Sequence, residues 1–129
     1  MRAQSLPWAD PLEMASGIDE PYWVLLYSGV QASYSGRYSL LACGLEERVE
    51  GGSFDAMNGR LSATQNLFDN AWFGYLGYGL KDSLETLTPD AATWLALPDL
   101  CLMRFNRIYR FDHVEKTVTL WSRAHGAQR

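Results

Sequence analysis

Apolar residues in this chain fall into short blocks separated by glycine, proline and polar breaks, and the blocks have mostly the texture of strands. Tyr22-Trp23-Val24-Leu25-Leu26-Tyr27 is a continuous β-favouring run closed by Ser28 and Gly29, which predicts a strand buried on both faces. A polar loop from Gln31 to Gly36 follows. Arg37 to Cys43 reads as a second strand and Leu45 to Val49 as a third. Ala71 to Leu80 reads as a central strand lightened by glycines. Pro98 marks the start of a long strand from about Leu100 to Phe111, Asp112 to Lys116 a turn, and Thr117 to Trp121 an alternating strand returning antiparallel.

Helix signals are fewer. Asp10-Pro11-Leu12-Glu13 combines a capping residue, proline at the first helical position and an acid two residues later. This predicts a short helix from Pro11 to about Gly17, with Leu12, Met14 and Ala15 facing inward. Ser53 can cap a helix carrying Phe54, Met57 and Leu61 on one face. Lys81 to Leu87 fits one or two turns ended by Thr88-Pro89. The expected class is α+β, a mostly antiparallel sheet with a few short peripheral helices.

A chain of 129 residues, 47% hydrophobic, suits a single domain over residues 1–129 with its own core. Five Trp and seven Tyr imply a bulky core or an apolar docking face. A net charge of −4 argues against nucleic-acid and anionic-membrane partners, which select a basic surface. Arg104, Arg107 and Arg110 read as scattered solvated arginines on a sheet. Cys43 and Cys101 stand apart in apolar stretches and read as buried free thiols. The first residues lack the apolar core of a secretory signal, and no apolar run is long enough for a membrane helix. A cytoplasmic location is expected.

Catalytic patterns are sparse. His113 in the turn and His125 near the C-terminus read as solvent histidines, too few to anchor a metal. Glu46 and Glu47 are neighbours and face opposite sides of a strand. Asp82 and Glu85 suit an exposed helix face. Gly74, Gly77 and Gly79 have the order G-x-x-G-x-G, which is not the dinucleotide-binding order. No residue is expected to be catalytic or to bind metal. The ends of the first two strands are richer: Ser28, Tyr34, Ser35, Arg37 and Ser39 put hydroxyls and a guanidinium close together. Such a set can hold the ammonium and carboxylate of an amino acid. From composition alone, a polar loop capped by its own hydroxyls is the favoured reading.

The order of these segments carries a resemblance. Trp23 to Gly29, with Val-Leu-Leu-Tyr-Ser-Gly at its heart, and then Gly36-Arg37-Tyr38-Ser39 resemble the opening of component I of aminodeoxychorismate synthase and anthranilate synthase. Those chains carry a strand ending Leu-Leu-x-Ser and then a (Gly/Ser)-Arg-(Tyr/Phe)-(Ser/Asp) strand. Phe73 to Leu80 resembles the family's Gly-x-x-Gly-Tyr-(Asp)-Leu strand, and Lys81 to Glu85 the helix after it. Leu97-Pro98-Asp99 and Phe111-Asp112-His113 follow in register. The likeness spans Trp8 to Trp121. Tyr27 stands where anthranilate synthases carry Glu, which tilts the choice toward aminodeoxychorismate synthase. Gly79 replaces the usual Asp, and Gly36 lengthens the loop.

The resemblance implies a scaffold domain that packs against a C-terminal chorismate-binding domain, where magnesium is held, and works with a glutamine amidotransferase subunit. The whole would be a transferase aminating chorismate toward 4-aminobenzoate and folate. The lysine base, general-acid glutamate and metal carboxylates of that catalytic domain are absent from these 129 residues. The resemblance further implies a pocket for a small amino acid such as tryptophan, built here from Ser28, Tyr34, Ser35, Arg37, Tyr38 and Ser39. The other readings are the matching domain of anthranilate synthase, in tryptophan biosynthesis, a free-standing tryptophan-binding module, and a purely structural interaction domain.

Overall fold

A computed structural model of the chain describes residues 1–29, 36–51, 68, 70–76 and 100–123. The expected Ser53 and Lys81 helices, Gly77 to Leu80, Tyr34, Ser35 and His125 lie outside them. The chain divides into two compact units, Met1–Glu46 with Phe105–Arg129, and Glu47–Arg104. Among the described residues there are six strands and one short helix: β1 (Arg2–Leu6), α1 (Pro11–Ser16), β2 (Val24–Leu26), β3 (Tyr38–Gly51), β4 (Phe73–Leu76), β5 (Leu100–Asp112) and β6 (Thr117–Ser122). Mostly antiparallel sheet is therefore what the chain builds. No helix among the described residues is long and apolar enough to cross a membrane.

In the first unit the strand order is β1-β6-β5-β3-β2. β5 and β6 form the expected hairpin, pairing Asp112 with Thr117 through to Arg107 with Ser122. Lys116 closes its turn at φ 55. The helix begins as its residues dictate. Asp10 is the N-cap, its carboxylate accepts the Glu13 amide at 3.2 Å, and Pro11 fills a position that needs no donor. The buried helix residues are Pro11 and Ala15. Leu12, expected inside, is 48% exposed. A six-residue helix has room for only one inward stripe, and Pro11 and Ala15, four apart, take it. Ala15 packs with Leu41, Phe111 and Val118, and Leu6, Trp8, Met14, Ile18, Leu25 and Tyr109 close around them.

Three expectations about strands change. β1 was not foreseen; its exposed polar residues carry little hydrophobic signal, and its order comes from pairing Arg2 to Leu6 with Ser122 to Val118. The Tyr22–Tyr27 run contracts to β2 at the sheet edge, and Leu26 is 52% exposed rather than buried on both faces. The second and third expected strands are one, because Gly44 continues β3 at φ 76. Its amide turns to Glu20, donating to Oε1 at 2.7 Å, while Oε2 of the same carboxylate accepts from Arg107 Nη2 at 2.8 Å. A Cβ at Gly44 would collide with the Asn106 side chain.

In the second unit β4 pairs antiparallel with the start of β5, Phe73 opposite Met103 and Leu76 opposite Leu100. Val49, Leu100 and Leu102 form a small core with Trp72 against it. A Cβ at Gly74 would run into the Cys101 backbone, so glycine here serves close strand approach.

Both cysteines are buried free thiols, as expected. Burial pushes the Cys43 thiol above its ordinary range; Arg107 opposes this and Glu20 adds to it. Thiolate is the reactive form, so Cys43 should react with a disulfide reagent at least about 100-fold slower in the native chain than in denaturant. Timed labelling followed by peptide mass mapping measures this, and equal rates would refute it.

Candidate functional site

The site expected from the sequence lies in the first unit, where β2 meets β3. Antiparallel pairing of Val24 with Ala42, Leu25 with Leu41 and Leu26 with Leu40 brings the end of β2 beside the start of β3. Ser28 then makes two hydrogen bonds across the gap. Its amide donates to Ser39 Oγ at 2.9 Å, and its hydroxyl donates to the Tyr38 carbonyl at 2.6 Å. A hydroxyl whose proton goes to a carbonyl meets any other polar group as an acceptor.

Ser39 is buried and also bonds His113 Nε2 at 2.8 Å. With the imidazole proton on Nδ1, Ser39 donates to His113 while accepting from Ser28. His113 is therefore no solvent histidine. Its amide donates to the Arg37 carbonyl at 2.8 Å. Its ring meets Trp8 edge-on at 5.7 Å and Tyr27 at 6.3 Å. Trp8 in turn lies edge-on to Phe111 at 6.2 Å and under Lys116 Nζ at 4.7 Å.

Arg37 is turned to Asp112. Its Nε lies 3.1 and 3.3 Å from the two carboxylate oxygens and its Nη2 3.0 Å from Oδ2. Asp112 Oδ1 also accepts the amides of Val114 and Glu115 at 3.0 and 3.1 Å. The Arg37 bonds pull the Asp112 carboxyl down to about 2, the two amides assist, and burial works against them. Asp112 and Arg37 thus brace the hairpin turn against the start of β3.

Of the six residues expected to line an amino-acid pocket, the structure joins Ser28, Ser39 and the main chain of Tyr38 in one network. Arg37 is taken by Asp112. The Tyr38 ring, expected to flank a ligand beside Ser39, points to the other face of β3, because neighbours in a strand alternate. There it lies under Arg110 and Arg37, at 5.0 and 5.1 Å from its centroid. The sequence reading missed His113, Asp112 and Trp8. Asp112 had a local signal, since aspartate opening a turn bonds the amides two and three residues on. The arginine triplet is not simply solvated either: Arg107 holds Glu20, Arg104 lies over Trp72 at 5.5 Å, and Arg110 lies over Tyr38 and Trp121.

Among the described residues no cluster of His, Cys, Asp and Glu could hold a metal ion. No protein-family model matches this chain, and no curated protein matches it.

Proposed function

We propose that this chain is the amino-terminal, amino-acid-binding scaffold domain of an aminodeoxychorismate synthase component I. One observation carries the reading. The two segments that resemble that family run side by side: Leu25 and Leu26 pair with Leu41 and Leu40, and beyond them Ser28 bonds the Ser39 hydroxyl and the Tyr38 carbonyl. Ser28 presents an acceptor for a ligand ammonium, and Tyr27 and Trp8 stand around His113 beside it as apolar walls. In this reading the class is α+β, the location cytoplasmic, and the partners a chorismate-binding, magnesium-holding domain and a glutamine amidotransferase. The chain contributes structure and ligand binding to amination of chorismate, and no chemistry of its own.

Two measurements test this. Titrating tryptophan against the chain should give binding near the millimolar range, and Ser28→Ala should weaken it by about 5- to 150-fold, the effect of losing one buried hydrogen bond. Equal affinity of the two proteins would remove Ser28 from the site. Separately, the purified 129-residue chain should not consume chorismate when given ammonia and magnesium. Steady product formation by the chain alone would overturn the scaffold role.

A further inference from the structure

We infer that Arg110 anchors an oxyanion-binding site on the face of the first unit's sheet that turns away from α1. The face follows from alternation. Leu41, Phe111 and Val118 pack with Ala15 of α1. Strand residues of opposite parity, Tyr38 on β3, Arg110 on β5 and Thr119 and Trp121 on β6, therefore share the other face. β5 runs between β6 and β3, so Arg110 has an aromatic neighbour on each flank. Its Cζ lies 4.9 Å from the Trp121 ring centroid and 5.0 Å from that of Tyr38.

Three other arginines of the first unit, Arg37, Arg107 and Arg123, each direct a guanidinium at a carboxylate. Arg110 has rings instead, and no carboxylate among the described residues bonds to it. Two flanking rings restrain a guanidinium and shield its faces while leaving its edge donors to bond sideways. A planar fork held in this way is preorganised for a carboxylate or phosphoryl group, since little side-chain entropy remains to be lost. Two further groups favour an anion here. Thr119 stands directly opposite Arg110 in the ladder and carries a hydroxyl donor. Arg37 lies over the same Tyr38 ring, and only Nε and Nη2 of its guanidinium engage Asp112. Two carboxylates of this unit are already engaged, Asp112 by Arg37 and two turn amides and Glu46 by Arg123. The site does not depend on the amino-acid reading of Ser28, which lies with Ser39 and His113 toward the α1 side.

The test is an NMR titration of the 15N-labelled chain with citrate and with inorganic phosphate, against chloride at matched ionic strength. The Arg110 Nε–Hε signal, assigned by its loss in Arg110→Lys, should move and saturate at millimolar anion. Arg110→Ala should weaken binding at least about tenfold, and Arg110→Lys, a point charge without the fork, by about three- to tenfold. Arg2→Ala, on β1, should bind like the parent. Tighter citrate identifies a carboxylate ligand, and tighter phosphate a phosphoryl one. A signal unmoved by either anion up to about 50 mM would overturn the site. So would equal weakening by Arg2→Ala and Arg110→Ala, the mark of diffuse charge attraction.

Discussion

Replacing Phe111 by alanine should destabilise the chain by about 3–5 kcal/mol. The side chain is fully buried between Leu41, Val118 and Ala15, with Trp8 edge-on to it. Removing it leaves a cavity that the short α1 cannot fill, because Pro11 and the Asp10 cap fix its start. Domains of this size are stable by only about 5–15 kcal/mol, so the variant should lose much of its margin and melt at least about 10 °C lower. Leu12→Ala is the matched control, since that side chain is largely exposed, and it should cost under about 0.5–1 kcal/mol. Urea denaturation of both proteins measures the difference. A loss below about 1 kcal/mol for Phe111→Ala would show that this cluster is not the core of the unit.

The second large effect concerns Asp112 and depends on pH. Asp112→Asn should cost about 2–3 kcal/mol at neutral pH, because a charge-assisted fork to Arg37 and two turn amides lose their acceptor strength. The Asp112 carboxyl sits at about 2 in the folded chain, below its unfolded value near 4. Its stabilisation is therefore complete above about pH 4 and is lost as pH falls through about 2. The gap between parent and Asp112→Asn should be constant from pH 7 to about 5, shrink below 4 and nearly close at 2. Denaturation curves at those values test it. A gap that persists unchanged at pH 2 would show that the carboxylate charge is not the source.

What the sequence disclosed was what local chemistry determines. Asp10, Pro11 and Glu13 specify a helix start through bonds spanning three residues. The β5–β6 hairpin was legible because Asp112 to Lys116 interrupts two β-favouring runs. The parity of Tyr38 and Ser39 is also legible from strand alternation, which puts the Tyr38 ring on the face opposite the Ser39 hydroxyl. Other features were not legible. Arg37 and Asp112 are 75 residues apart, and no local pattern marks a pair of that separation. His113 looks like any turn histidine until Ser39, Trp8 and Tyr27 gather around it. Gly44 reads as a strand break, because glycine most often interrupts strands; here it lets β3 continue while its amide serves Glu20. β1 has almost no pattern of its own, and its existence depends on β6.

That last dependence bears on the order of folding. The β5–β6 hairpin can close within microseconds of being made, through contacts close in sequence. β1 pairs Leu6 with Val118 and Arg2 with Ser122, partners separated by nearly the whole chain. During synthesis β1 leaves the ribosome first and waits without its partner until β6 emerges. Its mostly polar, exposed residues suit that wait, since they give an unpaired strand little reason to associate with other nascent chains. The long-range closure of β1 onto β6 should then be a late step in folding, with the hairpin serving as its template.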